Sequence, residues 1–321
     1  MDAVPTHAQL GSGLRGVSAS ATRFGDENRW RAAPGSATEE YWRGAAATQD
    51  PLQFTLAEAD VHAVLLVRSA LAHADVVGRA ISQRRAFLPH SVGRIVVELG
   101  LRAQYLMDGE ATPLERAERR LDDLMYAISE KERQRSVFAR KAKLNDVDVA
   151  DNAEVLARVR ERVVALGFTI SKTKSGGLRV SEKGRPGTGT LAEKYLSGEF
   201  AGVGEFLVRG HAANIHGMET ALIDATIDQF DPLTGINMPD PTLGDSPIVA
   251  LALMGVPLTL ANAFRSVGAR FEWPALGKAW EAWDRKHETL LHLWATTVDA
   301  LPDDVPPTVM GLFGGITQDL A

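Results

Sequence analysis

Arg209 and His216 lie seven residues apart, a spacing that has the parts for phosphodiester chemistry. In a helix, seven residues turn the chain to within about 20° of its starting direction, so both side chains lie on one face. A guanidinium binds phosphate through paired hydrogen bonds, and an imidazole transfers protons near neutral pH. We therefore predict a metal-independent catalytic pair, in which Arg209 stabilises charge and His216 moves the proton.

Further polar residues are candidates for binding the substrate. They are His211, Asn214 and Glu219 beside that pair, and Glu98 and Arg102 on an earlier helix. Arg94, Glu98 and Arg102 follow one another at four-residue intervals, which places them on one helix face. That spacing favours an ion-pair ladder on a half-buried face, and a general base at Glu98 is the alternative.

A second group of titratable residues lies on the last predicted helix, at Asp284, His287, Glu288 and His292. Spacings of three and four residues are typical of metal sites in helical bundles. A bundle metalloenzyme that uses His216, Glu219, Asp284 and His287 is therefore a weaker alternative function. Because His287 falls on a stripe of tryptophans, we instead predict a buried, hydrogen-bonded histidine, with no metal and no cofactor.

The arginine and histidine pattern on a late helix of an all-α chain resembles the HEPN superfamily. Active members of that superfamily are metal-independent ribonucleases that usually build their site across a dimer. The resemblance implies an RNA-cleaving homodimer with Arg209 and His216 in its site, although Gly210 stands where the family usually has a polar residue. The segment from Gly204 to Leu222, with the hairpin before it, also resembles a group of uncharacterised helical bacterial proteins.

Basic residues are concentrated between Lys131 and Arg185. Fourteen lysines and arginines stand there against seven acidic residues, which gives the segment a charge of +7, while the whole chain carries -6. A local basic surface binds phosphates in spite of a negative total charge. RNA or another polyanion is therefore the predicted partner of residues 131–185, and solvated helix faces are the alternative explanation.

The second functional hypothesis is a non-catalytic helical bundle that binds a partner protein or a small ligand. Its binding surface would be the tryptophan-rich face of the last helix, which carries Trp280, Trp283 and Trp294. In that case the arginine and histidine residues would serve the structure. His216→Ala would then lower stability, and the wild-type protein would have no nuclease activity.

Composition and missing motifs exclude several other classes of protein. The 321 residues contain no cysteine, which excludes thiol nucleophiles and cysteine-ligated metals, and no Walker loop, GxSxG elbow or HExxH pair occurs. No apolar signal segment opens the chain, so we expect a cytoplasmic protein. The apolar stretch 246–264 is predicted to be a buried helix, with no association with a membrane.

The elements that must position these residues are mostly helices. Apolar residues recur every three or four positions, and the capping-box pairs Thr55 with Glu58 and Thr112 with Glu115 mark two helix starts. We predict an all-α fold, an irregular multi-helix bundle with one small β-hairpin insertion at about 168–183. The helical bundle would span 51–302, between a poorly ordered segment 1–50 and a C-terminal tail 303–321, and one helix would run from about 202 to 230.

Overall fold

The structure of the chain is a computed structural model. It describes residues 5–48, 50–142, 149–172, 177–180, 185–197, 204–205, 207–209, 226–231, 236–243 and 247–299. Most of these residues are helical, which confirms the predicted all-α class. The predicted C-terminal tail 303–321 lies outside the described residues.

The helices vary in length from nine to 32 residues. They are α1 (His7–Glu27), α2 (Ala37–Thr48), α3 (Pro51–Ser82), α4 (Leu88–Met107), α5 (Pro113–Ala142), α6 (Val149–Ala165), α7 (Thr188–Leu196), α8 (Pro247–Arg270) and α9 (Lys278–Asp299). A short 3-10 helix, Trp273–Leu276, stands between the last two helices. Residues 204–205 and 207–209 are also helical.

The predicted hairpin is confirmed. Strand β1 (Ile170–Lys172) pairs antiparallel with β2 (Leu178–Val180), and Ile170 lies opposite Val180. Alternation of apolar and polar residues on both sides of a glycine-rich connection is the pattern that predicted these strands.

A second antiparallel pair lies where the sequence predicted the end of a helix and a loop. Strand β3 (Thr226–Asp231) pairs with β4 (Ile236–Leu243), so the prediction of helix up to residue 230 is wrong for residues 226–230. Threonine, isoleucine and phenylalanine in β3 favour extended backbone. Pro232 disfavours helical backbone in the residue before it, and this supports the same outcome.

The first 50 residues differ from the predicted poorly ordered segment, because α1 and α2 form there. Thr6 caps α1: its hydroxyl accepts the Gln9 backbone N–H, and the Gln9 side chain accepts the Thr6 N–H at 2.8 Å. The buried side chains of α1 include Leu10, Leu14, Val17, Ala21 and Phe24. Their three- and four-residue spacing is a helical pattern that the sequence analysis missed.

The chain divides into two compact units. Unit 1 comprises Met1–Ser36, Val64–Gln104 and Gly187–Ala321, and unit 2 comprises Ala37–Ala63 and Tyr105–Pro186. Both α3 and α4 therefore contribute residues to each unit.

The core of unit 1 is aromatic. Phe264 of α8 stacks on Trp280 of α9 with ring centroids 5.9 Å apart, and Trp283 lies 4.3 Å from the same phenylalanine ring. The indole N–H of Trp273 donates to the Arg31 carbonyl at 2.8 Å. Helix α8 covers most of the stretch 246–264 that the sequence analysis predicted to be a buried helix, and Leu253, Met254, Val256, Leu260 and Phe264 are buried.

The core of unit 2 is aliphatic. Leu121 and Met125 of α5 pack with Val159 and Val163 of α6, and Val180 of the hairpin closes the cluster. A buried ion pair lies in the same unit, where the Arg116 guanidinium donates to Asp60 at 2.5 Å. The Trp42 indole donates to the other Asp60 oxygen at 3.0 Å, so both carboxylate oxygens are hydrogen-bonded.

Among the described helices, α3 is long and apolar enough to cross a membrane. In its most apolar window, 44% of the residues are buried inside the protein. A core helix of a protein without any membrane contact meets the same criteria of length and composition. Helix α3 is therefore weak evidence for a membrane span.

Candidate functional site

Of the predicted catalytic pair, only Arg209 lies among the residues that the structure describes. The Arg209 guanidinium donates two hydrogen bonds to one Glu205 oxygen, at 3.1 and 2.6 Å, and its side chain is 76% exposed. His216 and its predicted neighbours His211, Asn214 and Glu219 lie outside the described residues. The convergence of Arg209 and His216 on one helix face therefore stays a prediction.

Glu98 lies in an ion pair within α4. Arg94 Nε donates to Glu98 Oε1 at 3.0 Å, and both side chains are about half-buried. This contact agrees with the ion-pair interpretation of the spacing. Arg102 lies one turn further along α4 and is also half-buried.

The carboxylates of the last helix are paired with an arginine. Arg265 of α8 donates to Asp284 at 2.9 Å and lies 4.0 Å from Glu288. Among the described residues, no group of three or more histidine, cysteine, aspartate or glutamate side chains is arranged to hold a metal ion. An arginine between the two carboxylates neutralises the charge that a bundle metal site would use.

His287 is buried as predicted, but the predicted hydrogen bond is wrong. Its ring lies 4.2 Å from the Trp283 ring, edge to face, and neither ring nitrogen has a hydrogen-bond partner among the described residues. The tryptophans of the same stripe, Trp283 and Trp294, are each 1% exposed. The tryptophan-rich face of α9 is therefore core, and a partner that bound it would have to open unit 1.

The basic segment 131–185 is partly neutralised inside unit 2. Acidic residues pair with four of its arginines, namely Arg133, Arg158, Arg162 and Arg185. Lys131, Arg160 and Lys172 are exposed instead, and no ion pair joins them to a described residue. We call these three residues the exposed cations of unit 2.

A second set of charges in unit 2 was not predicted as a site. The charge cluster consists of Glu58 and His62 on α3, Arg120 and Asp123 on α5, Arg162 on α6, and Arg185 after the hairpin. Arg162 donates to Glu58 at 2.6 Å, and its guanidinium lies over the Phe54 ring at 5.1 Å. An ion pair thus joins α6 to α3.

Asp123 and Arg185 form the other ion pair of the charge cluster. Arg185 Nε lies 2.7 Å from Asp123 Oδ1, without hydrogen-bond geometry, and the Asp123 side chain is 5% exposed. The Arg185 guanidinium also lies over the Tyr126 ring at 4.7 Å. This arginine is held by charge and by an aromatic face, which leaves its N–H groups available as donors.

Arg120 differs from the other arginines of the charge cluster. No hydrogen bond or ion pair joins it to any residue that the structure describes, and its Nε is buried. The charges of Glu58 and Asp123 act on it, yet burial lowers its pKa. Burial of the Nε without a partner is an energetic cost.

His62 lies in the electric field of the same residues. Burial, and after it the positive charge of Arg120, lowers the pKa of His62 to about 4. The imidazole is therefore neutral at pH 7, with one N–H donor and one acceptor nitrogen. Asp122, beside Asp123, is turned to the hairpin, where its carboxylate accepts the Val180 N–H at 2.7 Å, and burial raises its pKa.

Sequence reasoning missed the charge cluster for a specific reason. It assigned Glu58 to a capping box with Thr55, but α3 begins at Pro51 and the Thr55 hydroxyl donates to the Pro51 carbonyl at 2.7 Å. Glu58 is thus inside the helix, one turn before His62. The adjacent arginines and aspartates at Arg119, Arg120, Asp122 and Asp123 were the signal that could have identified the site.

Comparison with known proteins gives no relative. No protein-family model, no curated protein and no solved structure matches the chain. The function of the protein must therefore be inferred from its own residues.

Proposed function

We propose that this protein binds RNA through unit 2. The observation that carries the proposal is the group of exposed cations Lys131, Arg160 and Lys172, which have no carboxylate partner among the described residues. They belong to the segment 131–185, whose charge is +7 in a chain of -6. Cations that no carboxylate neutralises are the ones that gain most from phosphates and release of counterions.

The arginines of unit 2 that are already paired contribute less to this surface. Arg158 is 65% exposed and lies 3.9 Å from Glu154, and Arg133 lies 2.6 Å from Glu130. An exposed ion pair of this kind contributes about 0 to 1 kcal/mol, so a phosphate can displace the carboxylate. The paired arginines therefore contribute to RNA affinity at low ionic strength, but less than the exposed cations do.

Charge reversal of the exposed cations tests the proposal. We expect the triple variant Lys131→Glu, Arg160→Glu, Lys172→Glu to bind a fluorescent single-stranded RNA at least tenfold more weakly than the wild-type protein, because three phosphate contacts become repulsive. Fluorescence anisotropy at 50 mM salt measures the affinity.

The matched control carries the same change of charge in unit 1. Arg31, Lys278 and Lys286 are exposed there, and their replacement by glutamate lowers the net charge equally. We expect this control to lose less than threefold in affinity. Equal losses in the two triple variants would show that only net charge matters and would overturn the proposed surface.

Metal-independent cleavage of the bound RNA by Arg209 and His216 is the catalytic part of the proposal. The 2′-oxygen would form a bond to phosphorus while the bond to the 5′-oxygen breaks, with the 2′-hydroxyl proton passing to the imidazole and a proton from water reaching the leaving oxygen. The Arg209 side chain is 76% exposed, so a phosphate can reach its guanidinium. The HEPN resemblance also implies a homodimer, and we propose that it acts in the cytoplasm.

An RNA cleavage assay in EDTA tests the catalytic part. If the wild-type protein cleaves RNA, we expect His216→Ala and Arg209→Ala each to lower the rate at least 100-fold without a change in the circular dichroism spectrum. An unchanged rate in His216→Ala would exclude that pair.

A non-catalytic binding protein is the second candidate. The observation that favours it is the pair of hydrogen bonds by which Glu205 already holds Arg209. RNA binding that depends on the exposed cations, together with no cleavage by the wild-type protein, would identify this second function.

A further inference from the structure

We propose that a groove between α1 and α3 in unit 1 binds an amphipathic carboxylate, with the apolar part of the ligand in the groove and its carboxylate on the Arg68 guanidinium. The groove has a volume of about 840 Å³. Sites for small molecules in proteins have volumes of about 300 to 1,000 Å³. The proposal concerns unit 1 alone and does not rest on the proposed binding of RNA by unit 2.

The groove lies beside a close crossing of the two helices. At the crossing, Gly11 of α1 meets Gly78 of α3, and neither position has room for a methyl group. Further along, residues 18–27 of α1 and 65–75 of α3 line the groove, and ten residues of helix extend over about 15 Å. Many of the lining residues are small, namely Ser18, Ala19, Thr22, Ser69 and Ala72. Small side chains leave space between the helices that a ligand can fill.

Larger apolar side chains also line the groove. Trp30 and Leu71 are buried, whereas Leu65 is 54% exposed. The Trp30 backbone has φ 52°, a conformation that is rare for a bulky residue, and its indole N–H donates to Asp26 at 2.8 Å. Its ring also packs edge to face on Phe264 in the core, with centroids 6.0 Å apart. The tryptophan is thus held in place by the core, and an apolar ligand would cover the leucine.

Two arginines line the groove without an acidic partner. The Arg68 guanidinium lies over the Trp30 ring, 5.6 Å from its centroid, and no hydrogen bond or ion pair joins it to a residue that the structure describes. Arg23 also lines the groove and has no such partner in the described part of the chain. We call these two residues the groove arginines. Because an aromatic face holds the Arg68 guanidinium, the N–H donors at its edge are available to a carboxylate.

The three carboxylates that line the groove do not pair with the groove arginines. Asp75 lies 3.3 Å from Arg15 and 2.6 Å from Arg79, so it is already neutralised. Asp26 accepts the indole N–H described above, and Glu27 is exposed. When the two arginines that hold Asp75 are counted with the groove arginines, four positive charges stand against three negative charges. An anion therefore complements the groove better than a cation does.

The apolar lining selects among anions. A guanidinium donates to both oxygens of a carboxylate at once. An apolar chain attached to that carboxylate would remove the exposed side chain of Leu65 from water, which an inorganic anion would not do. The ligand class that uses both features is a carboxylate with an apolar chain or ring.

Calorimetry with three probes of equal chain length tests the sign of the ligand's charge. The probes are decanoate, decan-1-ol and decyltrimethylammonium, each below its micelle concentration. We expect the wild-type protein to bind decanoate about tenfold more tightly than decan-1-ol, because the guanidinium adds charge-assisted hydrogen bonds, and the cation most weakly. Absence of decanoate binding, equal binding of all three probes, or a preference for the cation would overturn the proposal.

Three variants locate the binding of decanoate. We expect Arg68→Met to bind decanoate about tenfold more weakly and decan-1-ol with unchanged affinity, since only the contact to the carboxylate is lost. Ala72→Trp fills the groove from an exposed position and should abolish the binding of both probes. The matched control is Arg285→Met, which removes an exposed arginine of unit 1 on α9 and should bind decanoate like the wild-type protein. Unchanged decanoate affinity in Arg68→Met, or an equal loss in Arg285→Met, would overturn the assignment.

The length of the apolar chain gives a readout that needs no variant. We expect affinity to rise about twofold to fourfold for each methylene between hexanoate and decanoate, because the chain becomes buried in the groove. Equal affinity of the two acids would overturn the placement of the chain in the groove.

A second copy of the chain is the competing occupant of the groove. Sedimentation of the wild-type protein and of Ala72→Trp distinguishes it from a small ligand. We expect the two proteins to sediment alike, because the ligand leaves the oligomeric state unchanged. Dimerisation that Ala72→Trp abolishes, together with no binding of decanoate, would assign the groove to the second copy and overturn the carboxylate.

Discussion

His287 lies in the aromatic core of unit 1 with an exposed fraction of 0%. Burial, and after it the positive charge of Arg265, lowers its pKa to about 3. Neither ring nitrogen has a hydrogen-bond partner among the described residues, so only packing against Trp283 and its neighbours holds the neutral ring. A buried neutral histidine makes the stability of the protein depend on pH.

We expect unit 1 to become less stable as the pH falls from 7.5 to 5. The unfolded chain takes up a proton at His287 near pH 6.5, whereas the folded chain does so only near pH 3, so the unfolded state binds more protons between these values. The free energy of unfolding should fall by about 2 kcal/mol for this residue. Urea denaturation at both pH values measures the change.

A pair of variants isolates the histidine. In His287→Leu the loss of stability between pH 7.5 and 5 should be smaller than in the wild-type protein by about 2 kcal/mol. In His292→Leu, which replaces an exposed histidine of the same helix, the loss should match the wild-type value. The same pH dependence in all three proteins would contradict a buried neutral His287.

Helices α1 and α3 approach closely at two glycines. A methyl group at Gly11 would meet the Gly78 carbonyl oxygen and the Ser82 hydroxyl, and one at Gly78 would meet the Gly11 carbonyl oxygen and the Arg15 side chain. Gly16, in the same helix α1, has open space in the direction of its missing side chain. Backbone proximity, rather than backbone conformation, requires glycine at Gly11.

Two alanine substitutions should therefore have opposite effects. We expect Gly11→Ala to lower the free energy of unfolding by about 1 to 3 kcal/mol, because the methyl group has no room between the helices. We expect Gly16→Ala to raise it by about 0.5 to 1 kcal/mol through helix propensity. Denaturant titration of the two variants beside the wild-type protein measures both changes, and destabilisation of both would contradict the close approach at Gly11.

A capping-box pair in the sequence predicted the start of a helix correctly where no proline supplied an earlier start. The capping box at Thr112 and Glu115 forms as expected, with the Thr112 N–H donating to the Glu115 carboxylate at 2.8 Å. The similar pair at Thr55 and Glu58 lies inside α3, because Pro51 supplies an earlier start. Pro51 favours the first position of a helix, and Asp50 Oδ1 accepts the Leu52 N–H at 3.2 Å.

The whole molecule combines a negative total charge with a local positive segment. Binding of RNA by such a protein depends strongly on salt, since counterions leave the RNA when cations replace them. We expect the plot of log affinity against log salt concentration to be less steep, by about 2, in the triple variant of Lys131, Arg160 and Lys172 than in the wild-type protein, because three phosphate contacts are lost. An unchanged slope would mean that these residues do not touch phosphates.

The whole molecule also divides into two compact units. Unit 2 is built from residues 37–63 and 105–186, and unit 1 from the rest of the chain, so each unit takes residues from distant parts of the sequence. Changes of composition along a sequence mark linkers between domains that follow one another. They do not mark a boundary between units that falls inside α3 or α4, because the helical pattern is unbroken there.

The amino-acid sequence by itself determined the helical class, the hairpin at residues 170–180 and the burial of α8 and of His287. These features depend on periodicity, turn residues and apolar runs, which act within a few residues of one another. Only the tertiary structure decided that α1 is packed, that Arg265 neutralises Asp284, and that Arg162 of α6 pairs with Glu58 of α3. Side chains from separate helices create these contacts, and the distance between them in space is not encoded in any local pattern.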